Sequence, residues 1–140
     1  MRLKGNKDGF TLVELLAVIV ILAIIMVIAV PQILNVIENS RKSAWKSNVK
    51  MIAEGIELGK TMTTSGLATK DFDIDKVCTA AGSDSINESL RAVADVSDDD
   101  TTVTCAGKGI VTVTGKGQFS GQKVATITCT NGSCKITYAE

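Results

Sequence analysis

The sequence combines a strongly apolar segment with a small polar remainder, and it shows no catalytic motif. Its 140 residues include 15 basic and 15 acidic side chains, so the formal net charge is zero, and they include no histidine. A neutral net charge argues against general affinity for nucleic acid. The absence of histidine removes the commonest general base and metal ligand. Because the sequence also lacks a nucleophile elbow and a paired-acid cleft, we expect no enzyme, cofactor, metal or small-molecule substrate.

The N-terminal part is dominated by an apolar run from Phe10 to Val30, in which only Thr11 and Glu14 are not apolar. As a helix, this run would rise by about 31 Å, which matches the core of a bilayer. Backbone polar groups find no partner in lipid, so a single spanning segment must be helical. The sequence therefore predicts a transmembrane helix over residues 10–30.

Glu14 is the exceptional residue of this run. A charge within a membrane segment costs about 2.5–3.5 kcal/mol. The carboxylate therefore needs either a cationic partner or contact with the lipid headgroups, which a side chain near the apolar edge can reach by snorkelling.

Three basic residues, Arg2, Lys4 and Lys7, precede the run. The positive-inside rule therefore places the N-terminus in the cytoplasm and the rest of the chain outside.

Residues 9–14 have the sequence Gly-Phe-Thr-Leu-Val-Glu, which resembles the processing signature of type IV pilins and their pseudopilin relatives. The resemblance extends from Met1 to about Ala53, and Pro31 stands where pilins have a helix-breaking proline. Beyond that region the likeness is only architectural. The resemblance implies a pilin-like α+β fold, in which a long N-terminal α-helix packs on a small antiparallel β-sheet.

The resemblance also implies roles for three residues of the motif, Gly9, Phe10 and Glu14. Residues 1–9 would be a leader that a prepilin peptidase removes by cutting after Gly9, and Phe10 would become the methylated N-terminus. Glu14 would be the carboxylate used in assembly. The new amino group, with an ordinary pKa near 7.7–8.0, and this carboxylate would offset each other when they are paired in apolar surroundings.

The function implied is that of a structural subunit of a type IV pilus or pilus-like filament, serving adhesion, twitching motility or DNA uptake. Its partners would be further copies of itself, the prepilin peptidase, and a membrane assembly platform with its ATPase. The subunit would lie in the inner (cytoplasmic) membrane before assembly and in an extracellular pilus afterwards. Alternatives are a pseudopilin of a type II secretion or competence apparatus, a static single-pass anchor for an external binding domain, and an exported enzyme.

An amphipathic helix is predicted over residues 31–59, because apolar residues recur there mostly at spacings of three and four. Gly59 followed by Lys60 indicates its C-terminal end. Pro31 lacks an N–H and clashes with the carbonyl of Val27, so it predicts a kink or a local opening. Alternatively, Pro31 begins a new helix at its first turn.

Residues 60–101 are predicted to form an acidic loop that contains a short helix, for which the capping box of residues 85–88 supplies the start. Residues 71–75 alternate acidic and apolar residues but lack the glycine and the final glutamate of a calcium loop. We therefore expect a solvated loop in which Phe72 and Ile74 are anchors.

Acidic and basic residues are segregated in this half of the chain. Residues 71–100 contain nine acids and two bases, whereas residues 101–139 contain four lysines and no acid. In an assembly, the acidic loop of one subunit could meet the lysines of the next. Alternatively, both are simply solvated faces of a small domain.

Residues 102–140 change to a period of two, in which threonine fills most alternate positions. This pattern predicts an antiparallel meander with one solvent-facing side. Asn131-Gly132 is a strong signal for a type I′ hairpin turn. The apolar positions that share one side of each strand are Val103 and Cys105, Val111 and Val113, Ala125, Ile127 and Cys129, and Cys134, Ile136 and Tyr138.

Four cysteines in an exported segment indicate disulfide bonds. With a two-residue loop at the hairpin, Cys129 faces Cys134, and opposed Cβ atoms lie about 4.5–5.5 Å apart, so a bridge needs slight closing. We favour this pair, which leaves Cys78 to bond with Cys105. A different connectivity and reduced core thiols remain as alternatives.

Overall fold

The computed structural model describes residues 9–67, Ile74, Cys78 and residues 99–140. The described fold is α+β and pilin-like, as predicted: one long N-terminal helix and a four-stranded antiparallel sheet. The chain divides into two compact units, Met1–Asn39 and Ser40–Glu140. The elements are α1 (Leu12–Thr64), β1 (Thr101–Gly107), β2 (Ile110–Gly115), a 3₁₀ turn (Gly117–Phe119), β3 (Ala125–Thr130) and β4 (Ser133–Tyr138).

In the first unit, α1 exposes its large apolar side chains on all sides. Phe10 is 89% exposed, and Val30, at the other end of the apolar run, is still 50% exposed. An 18-residue window of the helix has a mean hydropathy of 3.3, and none of that window is buried. By length and composition, α1 can therefore cross a membrane.

Pro31 lies inside α1, and the helix is unbroken on both sides of it. The alternative that Pro31 begins a new helix is therefore wrong. Because proline has no N–H, the carbonyl of Val27 lacks its usual helical partner at this point.

The C-terminal end of α1 lies further along the chain than predicted. The helix passes Gly59, which is buried, and ends at Thr64. Gly66 provides the stop, since its φ is +68° and its N–H donates to the Thr63 carbonyl at 3.2 Å. The N–H of Leu67 donates to the Met62 carbonyl at 3.1 Å. These two bonds form a Schellman motif around a glycine in the left-handed region.

The sheet is the predicted meander, with strand order β1-β2-β3-β4 and antiparallel neighbours throughout. Asn131 and Gly132 have φ of 51° and 85°, and a type I′ turn requires positive φ at both positions. The register places Cys129 opposite Cys134 and Thr130 opposite Ser133, which confirms the prediction made from the two-residue loop.

In the second unit, the core forms where the inner face of the sheet meets the buried side of α1. Trp45 is 2% exposed; its indole Nε1 donates to the Lys123 carbonyl at 2.9 Å, and its ring lies 5.4 Å from that of Phe119. Ile74 is fully buried, which confirms one of the two predicted loop anchors. The helix residues of this core are Trp45, Val49, Ile52, Ala53 and Ile56.

Several predictions fall on parts of the chain outside the described residues. They concern the leader before Gly9, the second loop anchor Phe72, and the short helix expected from the capping box at residues 85–88. Of the nine acidic residues between positions 71 and 100, the structure describes Asp99 and Asp100.

Candidate functional site

The junction between Gly9 and Phe10 precedes the first turn of α1. Both residues are exposed and non-helical, and a Cβ placed on Gly9 would meet no other atom within 4 Å. Phe10, with Leu15, Val18 and Ile19, lines a shallow apolar groove beside Glu14. The peptide bond between Gly9 and Phe10 is therefore sterically open in the described part of the chain.

Glu14 and Thr11 form a reciprocal cap at the start of α1. Oε2 of Glu14 accepts hydrogen bonds from the backbone N–H and from the hydroxyl of Thr11, each at 2.9 Å. In return, the Glu14 N–H donates to the Thr11 hydroxyl oxygen at 3.3 Å. This is a capping box, in which residues at Ncap and N3 satisfy each other's backbone donors.

The capping box gives the Glu14 carboxylate partners within its own chain. It lies at the N-terminal end of α1, where the helix dipole favours negative charge, and it accepts from the residue that directly follows Phe10. Sequence reasoning assigned Glu14 to assembly but gave Thr11 no role. The spacing Thr-x-x-Glu ahead of an apolar run is a recognised sequence signal for this cap, so Thr11 could have been found.

The cysteines form two disulfides, Cys78–Cys105 and Cys129–Cys134, and none is free. Their Cα atoms are 5.4 Å and 4.0 Å apart, respectively. The carbonyl of Cys78 also accepts a hydrogen bond from the Gly109 N–H at 3.2 Å. The first bridge thus joins the segment before the sheet to β1, and the second joins the two strands of the last hairpin.

Glu57 links α1 to the edge of the sheet, a contact that sequence reasoning missed. In a two-residue hairpin the flanking pair Thr130 and Ser133 forms the hydrogen-bonded pair, so the Cys134 N–H points away from β3. Oε1 of Glu57 accepts a hydrogen bond from that N–H at 2.5 Å. The carboxylate therefore covers part of an edge that would otherwise be open to another strand.

The acidic turn before β1 is bonded within its own chain. The backbone carbonyl of Asp100 accepts a hydrogen bond from the Lys116 N–H at 2.7 Å, and the side-chain carboxylate of Asp100 accepts one from the Gln118 amide at 2.7 Å.

Among residues 9–67, 74, 78 and 99–140, no group of three His, Cys, Asp or Glu side chains could hold a metal ion. Contact between acidic loops and lysines of different subunits stays a prediction.

Residues 4–30 match the family described as the prokaryotic N-terminal methylation motif. The matched range includes Gly9, Phe10 and Glu14, and it ends one residue before Pro31. Comparisons with curated proteins and with solved structures give no match.

The motif supports a precursor of the type IV pilin or pseudopilin kind, and the long helix and the sheet fit such a precursor. For this chain the motif implies processing by a prepilin peptidase and assembly into a filament. It points to a structural subunit and not to an enzyme, and the apolar helix fits a membrane-anchored precursor.

Proposed function

We propose that the protein is a structural subunit of a type IV pilus or pilus-like filament. Prepilin peptidase cuts between Gly9 and Phe10 and methylates Phe10, and the mature subunit is then polymerised by a membrane platform and its ATPase. The observation that supports this most strongly is the carboxylate of Glu14, held at the first turn of an unburied apolar helix directly after the open junction.

Processing changes the electrostatics around this carboxylate. Cleavage creates an amino group on Phe10, next to Thr11, whose N–H and hydroxyl already bond Glu14. A charge within a membrane segment costs about 2.5–3.5 kcal/mol. We propose that the Phe10 amino group of a neighbouring subunit offsets the Glu14 charge in the filament, so that the pair fixes the register between subunits.

Transfer from bilayer to filament needs little net change in hydrophobic burial, because both surroundings are apolar. The helix would enter the bilayer with its N-terminus inside and would leave it from the outer side. Pro31 marks the place where α1 already lacks one backbone hydrogen bond. We propose that α1 stretches or loses helix around Pro31 when subunits pack.

Two substitutions of Glu14 separate its charge from its capping role. Glu14→Gln keeps a side-chain oxygen that can bond the Thr11 N–H, since glutamine serves in capping boxes, but it removes the charge. Glu14→Ala removes both. If the charge directs assembly, both variants are cut normally and accumulate in the membrane, while filament yield falls strongly in each.

Thr11→Val is the matched control because it removes the hydroxyl and leaves the charge of Glu14. The variant should lose about 0.5–2 kcal/mol of helix stability at the cap and should still form filaments. If Glu14→Gln forms as many filaments as the unsubstituted protein, the charge has no part in assembly. The measurements are the mass of the N-terminal peptide, the amount of subunit in the membrane, and the amount of filament sheared from cells.

A further inference from the structure

The turn between β3 and β4 places a reactive pair of residues on the surface. Asn131 and Gly132 are both exposed, and a Cβ placed on Gly132 would meet no other atom within 4 Å. We propose that Asn131 is a site of spontaneous deamidation, which converts this turn from neutral to acidic without any enzyme. The proposal is independent of the filament role.

The chemistry needs only the two residues and water. The backbone nitrogen of Gly132 loses its proton and attacks Cγ of Asn131, so that an N–Cγ bond closes a five-membered succinimide. The Cγ–Nδ2 bond breaks, and Nδ2 takes up a proton and leaves as ammonia. Water then opens the ring at either carbonyl, which gives aspartate or isoaspartate; no oxidation or reduction occurs.

The position of Gly132 in the hairpin leaves its nitrogen available. The flanking residues Thr130 and Ser133 form the hydrogen-bonded pair that closes the turn, so the Gly132 N–H lies outside the strand ladder. Gly132 also has no side chain to hinder the attack. By contrast, Asn48 lies within α1 and precedes Val49, whose nitrogen belongs to a helix and whose branched side chain shields it.

The two products have different structural consequences. Aspartate preserves the hairpin, because Asp-Gly is also favoured in type I′ turns, and it changes only the charge. Isoaspartate adds one carbon to the backbone of a two-residue loop, so the register that sets Cys129 opposite Cys134 is disturbed at the tip. Residues 101–139 contain no acid, so either product is the first negative charge in this region.

The test uses full-length, disulfide-bonded protein in detergent micelles, incubated for days in mildly alkaline buffer. Trypsin releases residues 124–135, in which Asn131 is the only side-chain amide, and residues 47–50, in which Asn48 is the only one. Mass spectrometry should show amide-to-acid conversion at least about ten-fold faster at Asn131 than at Asn48, a difference of about 1.36 kcal/mol in activation free energy. In water enriched with heavy oxygen, the product should contain solvent oxygen.

Asn131→Gly is the matched control, because Gly-Gly also suits a type I′ turn. The acidic form that appears in the unsubstituted protein on ion exchange should be absent from this variant. The proposal is overturned if Asn131 converts no faster than Asn48, or if the acidic form persists in Asn131→Gly. A glycan on Asn131, for which Asn131-Gly132-Ser133 is an acceptor sequence, would also overturn it, because Nδ2 would then be substituted.

Discussion

The two units of the chain differ most in where their apolar side chains lie. In residues 10–39 the large apolar side chains are exposed, whereas the described residues of the second unit enclose a core. Exposed apolar surface on this scale marks a site for lipid or for other proteins. The apolar side chains of the first unit therefore need apolar surroundings such as lipid or another protein, whereas the core side chains of the second unit are covered within that unit.

Truncation of a core residue should give the largest difference between the two units. Ile127 is fully buried, and Ile127→Ala should lower the free energy of unfolding by about 2–5 kcal/mol. Ile19 is 54% exposed, and Ile19→Ala should change it by less than about 0.5 kcal/mol. Urea unfolding in micelles, followed by the fluorescence of the single, buried tryptophan Trp45, measures the free energy of unfolding of both variants. Equal losses of stability in the two variants would contradict the difference between the two units.

The two disulfides should stabilise the second unit to different extents. Cys78 and Cys105 are 27 residues apart, and Cys129 and Cys134 are 5 apart. Closure of the longer loop should contribute about 3.5 kcal/mol and closure of the shorter loop about 2 kcal/mol. Unfolding of the two double Cys→Ala variants tests this order, and a greater loss from the Cys129 and Cys134 pair would reverse it.

A smaller effect is expected from the edge contact of Glu57. Glu57→Ala leaves the Cys134 N–H without its acceptor, which should cost about 1–3 kcal/mol, whereas Glu57→Gln keeps an oxygen in place and should cost less. Glu54 is the matched control, because it lies on the same helix, is 59% exposed, and forms an ion pair with Lys50 at 3.5 Å. Glu54→Ala should cost about 0.3–0.5 kcal/mol; an equal cost for all three variants would show that the edge contact contributes nothing.

Local patterns in the sequence predicted the strands and the hairpin well. The period of two and the Asn131-Gly132 pair set the meander, its inner face and the register around Cys129, because these depend on neighbouring residues. The end of α1 was predicted incorrectly at Gly59. A glycine ends a helix where its backbone adopts a positive φ and the chain turns away from the helix axis. Gly59 is buried within α1 and stays helical, whereas Gly66 has a positive φ and closes the helix.

The site was predicted less completely than the fold. Gly9, Phe10 and Glu14 stood out by resemblance, and the motif match covers all three. Thr11 was missed although its spacing to Glu14 is a local signal. The contact of Glu57 with Cys134 joins residues 77 positions apart, and it depends on how α1 packs on the sheet, which no local pattern specifies.

We propose that the first unit is processed and then completed by other copies of the chain. Mass spectrometry of the N-terminus, on filaments sheared from the cell surface, tests this most directly. We expect a mature chain that begins with methylated Phe10 and lacks residues 1–9. Surface protein that retains Met1 and never forms filaments would contradict it.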